Sequence, residues 1–551
     1  MDKIQSIRDN IENTNYSESI PVYRGNRFDS FSPVTPLEIK IILKSLRASS
    51  SALDPCIAQL MKDACETMAP FIADIVSTSF SSGVVPSILK QAVIIPLLKN
   101  SNLPRSVLSN NRPISTLPFL AKIMERAAVW QYQPHLESNN IFDDLQSGFR
   151  PGRGPETALV KVQDDLLWSL DRNDTSALVL LDLSAAFDTI DHTRLLERLG
   201  TVAGTDGTAL AWMASFLQER VQRVRLGPYY SADSSLSCGV PQGSALSPIL
   251  FNIYMRPLLY IIRRHNLLFH VYADDTQIYF RLPRTNERQV DLASCLEEIR
   301  TWMGANYLKL NGSKTETMIF SNHDCPSKMP DWPDSFKPSL APVSKVRDLG
   351  VILDSKLALR SQVNQVVSVC HFHLTLLRST FRFIEDSDKI SMVNAMVGSR
   401  LDYCNALYMG VSNNILHKLQ LVQNAAARLL TGVGRYDHIT PSLQALHWLP
   451  VAQRAQFKMG CLVHKAIHGF GPGYLREKFI RHVPTRSLRS ENLALLNIPK
   501  FAKSKCGGRT LEVQGAQFCN SLPLHIRLEN DLLMFRRLLK TWLYIQAFGV
   551  T

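Results

Sequence analysis

The 551-residue sequence has ten cysteines but no Cys-x-x-Cys pair. Cys370, His371 and His373 come nearest to a metal cluster, yet their spacing is not that of a zinc site. A zinc knuckle is therefore set aside, and buried thiols in a reducing compartment are expected. Long apolar runs are missing too. The richest stretch, Pro248 to Ile262, includes Asn252 and Arg256 and is bounded by Arg263 and Arg264, too short and too polar to span a bilayer. Met1-Asp2-Lys3-Ile4-Gln5 lacks the apolar run of a secretory signal, so the expectation is a nuclear or cytoplasmic chain with no membrane partner. No repeat or low-complexity tract is present.

What the sequence does contain is ordinary globular material: 45% hydrophobic and 20% charged residues, enough to fold nearly throughout. At ~150 residues per domain, three or four units are expected. Lys and Arg outnumber Asp and Glu by 61 to 48, and the net charge of +13 favours a polyanionic partner, because clustered cations bind phosphates through counterion release.

Residues 1–31 are polar and turn-rich and read as a leader or linker. Ser32-Pro33-Val34-Thr35-Pro36 then opens a helical extension, residues 32–97, with Leu37, Ile39, Ile42 and Leu43 near helical spacing. That extension ends in Ala92-Val93-Ile94-Ile95, a strand leading to Lys99. Residues 98–354 alternate short strands and helices. Ala177 to Asp182 is a buried strand with an acid at its tip. Asp191 caps a helix that Gly200 is expected to stop. Ser247 is expected to cap the next helix, with Pro248 at its first position. Leu292, Leu296, Ile299 and Trp302 mark another helix, and Val351-Ile352-Leu353 a short strand. In residues 355–440, Leu416, Leu419, Val422, Ala426 and Leu429 share one helical face. Residues 441–551 are basic and less regular. The fold class is mixed α and β (α+β).

Phe269 to Tyr272 and Thr276 to Phe280 are two β-rich arms flanking Ala273-Asp274-Asp275, so adjacent acids project from a tight turn. Such a turn standing alone is equally well a solvated hairpin. Nucleotidyl transfer uses two divalent cations ~3.5 to 4 Å apart, one activating the attacking 3′-hydroxyl and one holding the triphosphate. Asp182 and Asp274 can supply hard oxygen ligands for Mg²⁺ (or Mn²⁺), joined by the Leu183 carbonyl, with Asp275 in support.

The order of motifs resembles a known family. Asn111-Arg112-Pro113-Ile114-Ser115, Gln146 to Gly152, Leu181-Asp182-Leu183-Ser184-Ala185-Ala186-Phe187-Asp188, Gly239-Val240-Pro241-Gln242-Gly243-Ser244 and Tyr272-Ala273-Asp274-Asp275 are similar to the reverse transcriptases of non-LTR (LINE-type) retrotransposons of the jockey superfamily. The resemblance runs from Phe31 to about Asp354.

It implies a right-hand polymerase: fingers and palm over residues 98–354, a helical thumb over 355–440 with Leu349-Gly350-Val351 as primer grip, and a mainly helical C-terminal region. It further implies catalytic Asp182, Asp274 and Asp275, with Tyr272 beside the nucleotide. Phe187 resembles the steric gate that clashes with a ribose 2′-hydroxyl, and Gln242 a nucleotide contact. Lys99 and Arg112 would hold the triphosphate. Lys314 resembles the lysine that protonates leaving pyrophosphate. Arg150 and Arg153, among glycines, would approach the template. Asp188 has no role at this level.

The implied partners are an RNA template, a DNA primer and dNTPs. No endonuclease precedes Phe31 and no RNase H constellation follows Lys356, so nicking is expected from a separate protein; oligomeric state is unread. Two rivals stand beside this reading. One is an inactive or domesticated copy that binds nucleic acid as a scaffold. The other is an RNA-dependent RNA polymerase, disfavoured by Phe187 and by Ala273 where a glycine is expected.

Overall fold

A computed structural model describes residues 8, 21–49, 51–100, 102–282, 289–312, 314–322, 341–482 and 494–549. Met1 to Gln5 and Ser313 lie outside the described residues. The strands of three or more residues are β1 (Gln91–Leu98), β2 (Asn111–Thr116), β3 (Thr175–Leu181), β4 (Arg220–Leu226), β5 (Ser234–Leu236), β6 (Leu268–Tyr272), β7 (Asp275–Leu282), β8 (Glu316–Phe320), β9 (Lys345–Asp348) and β10 (Val351–Asp354). The principal helices are α1 (Pro36–Ser45), α2 (Cys65–Ser82), α3 (Phe119–Ser138), α4 (Pro155–Asp171), α5 (His192–Thr201), α6 (Gly207–Leu217), α7 (Ser247–Arg264), α8 (Gln289–Ala305), α9 (Arg360–Thr380), α10 (Asn413–Thr431), α11 (Val451–Ile467), α12 (Leu511–Ser521) and α13 (Leu532–Phe548). The expected mixture of α and β is present. No helix among the described residues is long and apolar enough to cross a membrane.

These elements form two compact units, each assembled from three stretches of chain. Unit 1 comprises residues 1–149, 182–266 and 294–311. Its five-stranded sheet runs β2-β1-β4, and β4 pairs antiparallel with both the short strand Tyr229–Tyr230 and β5; β1 lies antiparallel to β2 and parallel to β4. Helix α1 begins with a capping box: Thr35 Oγ1 accepts from the Glu38 N–H, and Glu38 reaches back to the Thr35 N–H at 2.7 Å. Ile39, Ile42 and Leu43 form its buried stripe, three of the four residues the periodicity marks; Leu37 is exposed. Helix α7 is apolar on nearly every side because it is buried on nearly every side, from Ile249 to Ile262. Its one central amide, Asn252, is buried and satisfied, accepting from Gln146 Nε2 at 2.6 Å and donating to the Gly148 carbonyl at 3.0 Å.

Two predicted helix ends move. Ser247 is the first residue of α7 rather than its cap; the Ser244 hydroxyl accepts from the N–H groups of Leu246 and Ser247 at 3.1 and 3.2 Å and does the capping from one turn earlier. Helix α5 starts on Asp191 as expected, its carboxylate accepting from the Arg194 N–H at 3.1 Å, but it passes through Gly200. The chain leaves the helical path at Gly204, whose φ of +66° suits glycine; Gly200 has no left-handed conformation to satisfy.

Unit 2 comprises residues 150–181, 267–293 and 312–551. Its sheet is wholly antiparallel in the order β8-β3-β7-β6, with β3 central. Ala177, Leu178, Val179 and Leu181 are buried, which explains why β3 reads as an uninterrupted apolar run. β9 and β10 make a separate two-stranded hairpin.

Helix α10 buries Ile415, Leu419, Val422 and Ala426, close to the expected face; Leu416 and Leu429 flank it and are half-buried. The tail is more regular than its sequence suggests: α11, α12 and α13 enclose a core of Leu449, Cys461, Phe518, Leu522, Ile526, Phe535, Leu539 and Leu543. Pro450 ahead of α11, Pro523 just after α12 and the Arg536-Arg537 pair within α13 obscure that periodicity. Nine described cysteines are free, eight of them buried.

Helix α4 is tied to this C-terminal region by its acids. The buried Asp164 carboxylate accepts from the Leu511 N–H at 2.6 Å and pairs with Lys478 Nζ at 2.9 Å. Burial lifts the Asp164 carboxyl; at Lys478 burial pulls the ammonium down, and Asp164 with Asp165 and Glu512 together outweigh that pull and raise it. Asp171 accepts from three backbone N–H groups, those of Ala502, Lys503 and Gly507, at 2.8, 2.7 and 3.1 Å. Burial alone would raise its pKa; those three donors bring it below the ordinary value.

Candidate active site

The Tyr272 to Asp275 motif is a two-residue hairpin turn in unit 2. Tyr272 and Asp275 are the closing register pair of β6 and β7, and Ala273-Asp274 forms the tip. Ala273 adopts φ +58°, a left-handed conformation that a residue with a Cβ enters at a cost. Asp275 is thus the first residue of β7 and exposed, whereas Asp274 occupies the turn and is half-buried. Next to it in the sheet, Leu181 at the end of β3 pairs with Thr276. Asp182 is the following residue in the chain.

Behind the turn, Gln277 Nε2 donates to Asp348 Oδ1 at 2.6 Å, joining β7 to the end of β9. Burial pushes the Asp348 carboxyl up to about 7, against the Gln277 hydrogen bond and with the Asp275 charge adding to the rise. The β9-β10 turn is Leu349-Gly350, both at positive φ (+42° and +86°), and the Leu349 carbonyl accepts from the Tyr403 hydroxyl at 2.7 Å. Burial raises the phenols of Tyr272 and Tyr403, the latter to about 12, each with Cys404 adding to the rise. Arg153 has its guanidinium 5.5 Å from the centroid of the Tyr474 ring, and Tyr474 meets His270 of β6 edge-on at 5.1 Å. Arg150 lies in the same turn, its carbonyl accepting from the Arg153 N–H at 3.4 Å. Lys314 is exposed just ahead of β8.

Unit 1 holds the other predicted residues. The Asp182 carbonyl accepts from the Asn311 N–H at 2.8 Å, and its carboxylate Oδ2 accepts from Asn311 Nδ2 at 2.8 Å. Leu183 is buried and pairs with Leu310. Phe187 is half-buried; its ring stacks on Phe251 at 4.4 Å and 11° and meets Phe149 edge-on at 6.2 Å. Gln242 is joined to β2, where the Ser115 N–H donates to its carbonyl at 3.0 Å. Lys99 and Arg112 come together on the β1-β2 hairpin: the Lys99 N–H donates to the Asn110 carbonyl at 2.8 Å, Arg112 pairs with Leu97, and both side chains are exposed.

Asn311, Asp348 and Tyr474 have no counterpart in the sequence reading. For Asn311 a signal existed in the Asn311-Gly312 pair three residues ahead of Lys314. For Asp348 and Tyr474 none did, since each finds its partner far away in the chain.

Asp182, Asp274 and Asp275 are hard oxygen donors of the kind Mg²⁺ takes. Among the described residues no three His, Cys, Asp or Glu side chains are placed to hold an ion by themselves. Mg²⁺ bound by one or two carboxylates completes its octahedron with water and substrate phosphate, and the half-buried Asp274 with the exposed Asp275 beside it is a donor pair of that kind.

Residues 98–353, just under half of the chain, match the family described as reverse transcriptase (RNA-dependent DNA polymerase). The chain is also similar to RNA-directed DNA polymerases of mobile elements. It is 24% identical over 379 residues to the RNA-directed DNA polymerase from mobile element jockey of Drosophila melanogaster, a match covering 66% of this chain and 40% of that protein. Its identity to the jockey polymerase of Drosophila funebris is 25% over 419 residues, covering 73% and 44%. The probable RNA-directed DNA polymerase from transposon X-element of Drosophila melanogaster is 24% identical over 350 residues, covering 62% and 37%. The chain spans about two fifths of the length of these relatives.

Proposed function

We propose that the chain is an RNA-directed DNA polymerase of a non-LTR retrotransposon, adding dNTPs to a primer 3′-hydroxyl while copying an RNA template. The observation that carries this is the hairpin in which Asp274 sits at the tip and Asp275 opens β7, in a sheet whose central strand ends one residue before Asp182. Asp182 and Asp274 are the proposed carboxylates for two Mg²⁺ ions (Mn²⁺ being the alternative), with Asp275 and the Leu183 carbonyl in support. The ions supply activation of the attacking hydroxyl and neutralisation of the triphosphate.

The protein's own groups do the rest. Lys99 and Arg112 draw in and orient the triphosphate, Gln242 and Tyr272 border the nucleotide, and Phe187 closes the space a ribose 2′-hydroxyl needs. Its stacking on Phe251 supports that role, because a braced ring cannot swing aside. Lys314 is the proposed proton donor to pyrophosphate, and Arg150 and Arg153 the proposed template contacts. In this reading residues 98–354 are fingers and palm, 355–440 the thumb, and Leu349-Gly350-Val351 the primer grip.

The test is primer extension on an RNA template with Mg²⁺, wild type against Asp274→Ala. Incorporation is expected to fall by at least ~10³-fold, the scale at which loss of transition-state electrostatics is felt. Equal incorporation by both proteins overturns the proposal.

A further inference from the structure

The loop Gly239 to Ser244 is fixed against the turn that follows Phe187. The Gly239 N–H donates to the Ile190 carbonyl and the Val240 N–H to the Phe187 carbonyl, both at 2.8 Å, while the Gln242 carbonyl accepts from Ser115. Gly239 has φ +82°, and a Cβ there would come within 2.7 Å of the Asp188 carbonyl oxygen, so the two backbones run against each other with no space between them. Within this junction Gln242 Nε2 donates to Asp188 Oδ1 at 2.8 Å.

A carboxylate can only accept, so this bond decides which end of the carboxamide is which. The amino group faces Asp188, and Oε1 is left as the acceptor on the other side. A free glutamine would sample many rotamers and both amide orientations, and would lose that freedom on meeting a nucleotide.

We propose that Asp188 is a positioning residue for nucleotide binding: it holds the Gln242 carboxamide in a single orientation before the dNTP arrives. The proposal rests on the reading of Gln242 as a nucleotide contact. Asp188 acts through Gln242, so its effect belongs in dNTP affinity rather than in the chemical step.

The experiment is steady-state primer extension on an RNA template, comparing wild type, Asp188→Ala, Asp188→Asn, Gln242→Ala and the Asp188→Ala/Gln242→Ala pair. A charge-assisted hydrogen bond leads us to expect Asp188→Ala to raise the KM for dNTP roughly tenfold with kcat held within about twofold. Asp188→Asn keeps an acceptor oxygen and is expected to restore KM to within about threefold of wild type, by the same logic. In the Gln242→Ala background, Asp188→Ala should add nothing.

A KM increase that multiplies with that of Gln242→Ala overturns the proposal, as does an asparagine variant no better than alanine. A Gln242→Ala protein with unchanged KM instead refutes the nucleotide role of Gln242 itself. Thermal melting accompanies each variant, and where the alanine protein does not fold, Asp188→Ser takes its place in the same cycle.

Discussion

Phe187 and Asp348 show how much a single residue's surroundings decide. Phe187 is half-buried, with Phe251 stacked on one face and Phe149 meeting it edge-on. Replacing the ring by Phe187→Val leaves Phe251 in place and opens a side-chain-sized gap. Discrimination of dNTP over NTP is expected to drop by roughly 10- to 100-fold, the range that a few methylenes of steric contact provide; single-nucleotide incorporation with dNTP and NTP measures it. Asp348 illustrates the opposite situation, a carboxyl made reluctant to ionise. Its folded pKa of about 7 exceeds its ordinary value of 3.8, so the stability tied to its protonated form is complete below pH 3.8 and is lost as pH rises through 7. Asp348→Asn is expected to match wild type near pH 4 and to melt higher at pH 8, by up to a few kcal/mol given about 1.4 kcal/mol per pKa unit. Melting curves across that range test this; a mutant that gains nothing at pH 8 refutes it.

At the scale of elements, the Tyr272 to Asp275 hairpin was legible because its signals are local. Alternating β-formers on either side of Ala273-Asp274-Asp275 specify two strands and a turn within a dozen residues, and Asp191 announces the start of α5 in the same way. What failed was also local but ambiguous: Ser244 and Ser247 both offer a hydroxyl near the start of α7, and only the backbone path selects the first. Helix α4 was hardest to read. Its acids resemble a solvated face, yet Asp164 and Asp171 are buried, with partners that no spacing rule could name. Lys478→Met would strand the Asp164 carboxylate and is expected to cost about 3–5 kcal/mol in chemical denaturation. Asp171→Ala would leave three N–H groups unpaired, at about 1–3 kcal/mol for each buried group so abandoned. Because the folded pKa of Asp171 is depressed, its contribution is present above the ordinary carboxylate value and lost as pH falls through the lower folded value. The gap between wild type and Asp171→Ala should therefore narrow at pH 3.

For the molecule as a whole, the class of protein was legible and the assembly of unit 2 was not. Motifs such as Gly239 to Ser244 and Tyr272 to Asp275 are short and ordered along the chain, so they survive as a readable series. Residues 441–551 carry no such series, and the partners they supply to the acids of α4 are hundreds of residues away from them in the chain. A chain ended at residue 440 lacks Lys478, Ala502, Lys503, Gly507 and Leu511, the partners of Asp164 and Asp171. It is expected to be digested by protease at least ~10-fold faster than the full chain, a factor that 1.4 kcal/mol of lost stability already produces.

The same long reach bears on how the protein is made. The amides that receive Asp171 follow it by 331 to 336 residues, and the one that receives Asp164 by 347. At roughly 5–20 residues per second of translation, α4 leaves the ribosome some 20–70 s before its acids can be satisfied. Through that interval α4 must wait for its neighbour with carboxylates still hydrated, which makes unit 2 a late-folding body and its nascent chain a natural client for chaperones.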